Sequence, residues 1–194
     1  MTWTVPNILT LLRIILIPVL VLVFFFPFQW SYQVSAAVFG LAALTDWLDG
    51  YLARRLGQLS PFGAFLDPVA DKLMVAVALV LLVQDNPTVV YAIPAAIIIG
   101  REIVISALRE WMSELGQRTR VAVSIVGKIK TTMQMVAILL LLYKVPLGFL
   151  PTHTVGAVLL YIAALLTLWS MVVYLHAAWP ILNGKSAALS GDGA

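Results

Sequence analysis

Apolar runs broken by proline or glycine set the pattern of this chain. A helix needs about 20 mostly apolar residues to cross roughly 30 Å of hydrocarbon. Six runs approach that length. They extend from about Ile8 to Phe26, Ser31 to Leu56, Phe62 to Val83, Val89 to Ser113, Val121 to Tyr143 and Thr154 to Trp179. Short connections separate them, marked by Pro27, Gly57, Pro61, Pro87, Gly116, Pro146, Pro151 and Pro180. The second and fourth runs begin apolar and end charged. Pro68, inside the third, either kinks that helix or delays its regular start.

Composition turns this pattern into a membrane protein. Of 194 residues, 62% are hydrophobic and 11% charged. A soluble domain carries roughly 45–50% apolar and about 25% charged residues, and one of this size could not bury so much apolar surface. A soluble globular fold is excluded. The absence of cysteine excludes disulfides and cysteine-ligated metals. The expectation is an all-α, integral membrane bundle of six transmembrane helices. Residues 1–182 form one domain and residues 183–194 a short polar tail. The first run is read as a retained helix rather than a signal peptide, because Met1 to Asn7 lacks Lys and Arg and no small-residue cleavage site follows Phe26.

Charge placement gives orientation. Arg54, Arg55 and Lys72 lie around the second connection, and Arg101, Arg109, Arg118, Arg120, Lys128 and Lys130 around the fourth. Arg13 lies near the first end and Lys185 near the last, which leaves Lys144 alone on the other side. The positive-inside rule then places both termini in the cytoplasm, in a bacterial inner membrane, with the active site at the cytoplasmic side. Membrane lipid is an expected partner and nucleic acid is not.

The acidic residues are few and clustered. Asp46 and Asp49 end the second run, and Asp67 and Asp71 begin the third. Asp46, Asp49, Gly50 and Ala53 fall on one helical face, with Arg54 beside it, and Gly63, Asp67 and Asp71 share a face of the next helix. If those helices are neighbours, four carboxylates converge near the membrane surface, with small residues leaving room for a ligand. Arg54 and Lys72 are too few to compensate them, so divalent cations are expected. An oxygen-only donor set favours Mg²⁺, Mn²⁺ or Ca²⁺ over zinc. Two such ions are a recurrent device for displacement at phosphorus.

Written out, the stretch is Asp46-x2-Asp49-Gly50-x2-Ala53-Arg54-x8-Gly63-x3-Asp67-x3-Asp71. It resembles the signature of the CDP-alcohol phosphatidyltransferases, with every specified position filled. The resemblance implies transfer of a phosphatidyl group from a CDP-linked lipid to an alcohol, with release of CMP. It implies that Asp46, Asp49 and Asp67 hold Mg²⁺ or Mn²⁺, two ions in all, with Asp71 at the edge of the metal site and acting as the base. Gly50 and Ala53 make room for cytidine, and Arg54 contacts the diphosphate. Gly63 is counted with the substrate-binding positions. Relatives of this family are homodimers, and a homodimer is expected here.

The acceptor is read from the fourth connection. Arg101, Arg109, Arg118, Lys128 and Lys130 suit an anionic acceptor, although positive-inside bias alone produces such charge. Gly100 to Glu110 and Lys128 to Gln134 resemble the phosphatidylglycerophosphate synthase branch, as does Pro6 to Arg13. That resemblance implies CDP-diacylglycerol and sn-glycerol 3-phosphate as substrates. The alternatives are serine, inositol phosphate or phosphatidylglycerol as acceptor. Arg118 and Lys128 are expected to hold the acceptor phosphate, then Arg109 and Arg101. Glu102, Glu110 and Glu114 are candidates to orient those arginines. His153 and His176 look isolated and non-catalytic. Trp3, Trp30, Trp111 and Trp179 read as an interfacial belt.

Overall fold

A computed structural model describes residues 4–56, 61–114, 125–146, 148–149 and 151–182. It contains α1 (Val5–Phe25), α2 (Ser31–Leu56), α3 (Pro61–Asp85), α4 (Val89–Glu114), α5 (Ile125–Tyr143) and α6 (Thr152–Leu182). These are the six helices that the apolar runs predict, in an all-α membrane bundle. At 1.5 Å per residue the 26-residue α2 and α4 are roughly 39 Å long. By length and composition α1, α4 and α6 qualify as spans on apolar character alone. Charges at one end of α2 and α3 dilute the same signal there.

Element ends differ from expectation for local reasons. Proline is welcome in a helix's first turn, where its missing N–H has no partner to lose. So α1 begins at Val5, ahead of Pro6, and α3 begins at Pro61 itself. Pro68 neither ends nor delays α3, which runs through it. Likewise α6 runs to Leu182, past Pro180. The expected start of the fifth helix, residues 121–124, lies outside the described residues.

Surface and core are both apolar, as lipid requires. Ile15 and Leu22 of α1, Val80 of α3, Val89 of α4 and Leu165 and Val172 of α6 are exposed. Trp30, Trp111 and Trp179 are exposed too, in keeping with an interfacial belt. Helices cannot gain much by hiding apolar surface from lipid, so close packing holds them. The core joins Leu16, Leu20 and Phe24 of α1 to Phe39, Met74, Leu79 and Ile138, with small residues Ala36, Ala42, Ala78, Ala137 and Ala164 between. Gly156 lets α6 approach α5: a Cβ there would lie 2.8 Å from Leu141 and 3.2 Å from the Ala137 carbonyl oxygen.

A polar clasp closes the end of the bundle away from Asp46, Asp49, Asp67 and Asp71. Lys144 Nζ lies 2.5 Å from Asp85 and 3.9 Å from the centre of the Tyr32 ring. Tyr32 donates to Asp85 at 3.2 Å. Burial pulls the Lys144 amine down, but hydrogen bonds to Asp85 and Tyr32 outweigh it and leave the amine above its ordinary value. His153 is not isolated: its Nε2 lies 2.8 Å from the Tyr91 hydroxyl. This clasp ties α2, α3 and the α5–α6 connection at that end, opposite the four-aspartate stretch.

Candidate active site

The site is built around α1. It packs extensively against both α2 and α3, which touch each other much less. The four aspartates are brought together through that shared neighbour rather than by direct pairing of their own helices. Arg13 of α1 is 1% exposed. One of its terminal nitrogens donates to Asp71, and the other donates to Asp49 and lies 3.3 Å from Asp46. One turn earlier, the Thr10 hydroxyl donates to Asp67. All four expected aspartates are therefore gathered, and two α1 residues not expected at the site hold them.

The compensating cation differs from expectation. Lys72 lines the cleft beside Asp67 and Asp71 but commits its amine to Ser106 of α4. Arg13 takes its place because a guanidinium can fork between several carboxylates. A charge in the membrane part of a helix is costly without partners. A lone cation with Asn7 and Thr10 in an otherwise apolar helix was the available signal.

The other expected positions divide. Gly63 is buried at the start of α3 and Gly50 half-buried on α2 beside Asp49. Ala53 and Arg54 lie in α2, but their side chains are outside the described residues, as is that of Lys128. Arg118 lies wholly outside them. Glu110 and Glu114 are exposed at the end of α4.

Next to the aspartates lies a cleft of about 340 Å³, lined among others by Asp67, Asp71, Lys72, Arg101, Glu102, Arg109, Lys130, Thr131, Gln134 and Tyr174. Arg101 and Arg109, both expected, each place a guanidinium 5.7 Å from the centre of the Tyr174 ring of α6. Glu102 orients the group, accepting from Arg101 at 2.8 Å and from Lys130 at 3.4 Å. Lys130 is 2% exposed. Lys130 belongs to the basic group expected around the fourth connection, whereas Gln134 and Tyr174 carry no expected role. Acidic and basic walls thus face one space. It can take a molecule that brings phosphate to the basic side and a hydroxyl to the acidic side.

Among the described residues no three acidic or histidine side chains are grouped as a finished metal cage. Yet when ionised, Asp46, Asp49, Asp67 and Asp71 outnumber the one guanidinium that the described residues place among them, and offer only acceptor oxygens. That excess negative charge and that donor type fit hard divalent cations.

Comparison with known proteins identifies relatives of the whole chain. Residues 3–169 match the family model described as CDP-alcohol phosphatidyltransferase. A Pseudomonas fluorescens protein is 58% identical over 185 residues, 92% of each chain, and is named CDP-diacylglycerol–glycerol-3-phosphate 3-phosphatidyltransferase. Proteins of the same name from Salmonella choleraesuis and Shigella flexneri are 54% identical over 178 residues, 92% of this chain and 96% of theirs.

Proposed function

The chain belongs to the CDP-alcohol phosphatidyltransferase family, and we propose that its four-aspartate centre is where CDP-diacylglycerol gives up its phosphatidyl group to sn-glycerol 3-phosphate. The protein is a phosphatidyltransferase of the membrane, and the reaction yields phosphatidylglycerophosphate and CMP. The observation that carries the placement is the cleft in which Asp67 and Asp71 face Arg101, Arg109 and Lys130.

Asp71 is the base. Its side chain is 42% exposed and lines the cleft, whereas Asp49 is 4% exposed and closed off from an acceptor. Asp71 takes the proton of the sn-1 hydroxyl. The freed oxygen bonds to the phosphorus attached to diacylglycerol, and the bond from that phosphorus to CMP breaks. Asp46, Asp49 and Asp67, with Asp71 at the edge, would hold Mg²⁺ or Mn²⁺, two ions in all, whose chemistry is to offset charge on the diphosphate and the departing CMP. Arg101, Arg109 and Lys130 hold the acceptor phosphate, and Glu102 keeps two of them in place. Gly50, Ala53 and Gly63 give the cytidine side room, and Arg54 meets the diphosphate. Arg118 and Lys128 remain candidates for the acceptor phosphate. Both termini in the cytoplasm and a homodimer complete the proposal, supported by charge bias and family resemblance respectively.

The test is CMP release by purified protein with CDP-diacylglycerol and Mg²⁺ or Mn²⁺, run in parallel with glycerol 3-phosphate, serine, inositol phosphate and phosphatidylglycerol. Glycerol 3-phosphate alone is expected to support fast release. Faster release with another acceptor would replace the acceptor assignment, and release with none would overturn the reaction.

A further inference from the structure

Among the described residues Arg13 is the largest of the fully buried side chains and the cation that three aspartates share. Its two terminal nitrogens are committed to Asp46, Asp49 and Asp71, while its buried Nε has no hydrogen-bond partner among the described residues. Its terminal nitrogens are spent on the oxygens that the proposed function assigns to metal. Without a cation there, Asp46, Asp49 and Asp71 would repel one another, and α2 and α3 have little direct contact to resist it.

We propose that Arg13 is the resident counter-ion of this centre: it holds Asp46, Asp49 and Asp71 together before a divalent cation arrives, and yields those oxygens when one binds. Arg13 is thus a positioning residue that both assembles the site and competes for it. Guanidinium and metal cannot take the same lone pairs at once, so each weakens the hold of the other. The site stays assembled when empty, at the expense of divalent affinity. This rests on the reading that the aspartates take divalent cations.

The test uses full-length protein in detergent with no lipid or acceptor. Mn²⁺ binding is read from the free-ion EPR signal, and thermal unfolding is followed in EDTA. Arg13→Gln is expected to unfold at lower temperature in EDTA and to bind Mn²⁺ roughly tenfold tighter than wild type, because a full competing charge is gone. Arg13→Lys restores a charge that cannot fork, so its EDTA stability and Mn²⁺ affinity should both fall between the other two. A merely structural arginine gives the opposite sign: a loosened site that binds Mn²⁺ more weakly. Equal or weaker binding by folded Arg13→Gln overturns the proposal. If Arg13→Gln does not fold, Arg13→Lys decides, and Mn²⁺ affinity no tighter than wild type overturns it. Asp67→Asn, expected to weaken Mn²⁺ binding, separates the two readings. If wild type, Asp67→Asn and Arg13→Gln all fail to bind Mn²⁺, the metal reading has failed and displacement falls with it. Tight wild-type binding left unchanged by Arg13→Gln overturns the role of Arg13 alone.

Discussion

Replacing Tyr174 with leucine removes a ring that faces two guanidinium groups at once. Arg101 and Arg109 each stand 5.7 Å from its centroid. Each contact is worth about 0.5–1 kcal/mol where the cation is partly exposed. The ring also sets the two like charges side by side in the cleft, ready for one phosphate. Losing both contacts costs about 1–2 kcal/mol of preorganisation, or roughly a 5- to 30-fold rise in KM for glycerol 3-phosphate. Steady-state CMP release at saturating CDP-diacylglycerol measures this directly. Tyr174→Phe keeps the ring face and should stay within about twofold of wild type. The KM for CDP-diacylglycerol should be unchanged in both, because Tyr174 is on the basic wall. An unchanged acceptor KM in Tyr174→Leu, or an effect confined to the CDP-lipid, would refute this role.

Three further outcomes follow from the same geometry. Asp71→Asn should lose about 10²–10⁴-fold in turnover, the usual worth of a general base, while CDP-diacylglycerol binding measured by equilibrium competition persists. Gly156→Ala should lower thermal stability by about 1–3 kcal/mol, since the new methyl would lie 3.2 Å from the Ala137 carbonyl oxygen and 2.8 Å from Leu141. A double-mutant cycle on Asp85→Asn and Lys144→Met should show about 1 kcal/mol of coupling. The Lys144 amine is raised in the folded state. Its contribution is therefore fully present below the unfolded lysine value and is lost only as pH climbs through the raised folded one. Unfolding midpoints at pH 7 and pH 9 should give the same coupling.

The sequence makes some of this legible because the physics is local. The span from Ser31 to Leu56 is visible as an apolar run with charges at one end, and α2 has those bounds. The spacing of Asp46, Asp49, Asp67 and Asp71 fixes helix faces, which holds wherever the helices go. What joins those faces is not local. Arg13 reads along the chain as one more positive charge near an end, and only the packing of α1 against α2 and α3 turns it inward. Lys128 and Lys130 are two residues apart, about 200° around a helix, so at most one faces the cleft squarely. The rotation of α5 against its neighbours chooses, and it buries Lys130. Tyr174 carries no motif, since its position follows from α4 and α6 packing side by side. Lys72 is next to Asp71 in sequence, but its amine is bonded to Ser106 of α4.

Transfer at the four-aspartate centre is measured most directly by following labelled sn-glycerol 3-phosphate into lipid. Purified protein in liposomes receives CDP-diacylglycerol and Mg²⁺ or Mn²⁺, and labelled lipid and CMP are quantified together for wild type and Asp67→Asn. Wild type should form labelled phosphatidylglycerophosphate and CMP in equal amounts, and Asp67→Asn neither. CMP without labelled lipid, or full transfer by Asp67→Asn, would contradict it.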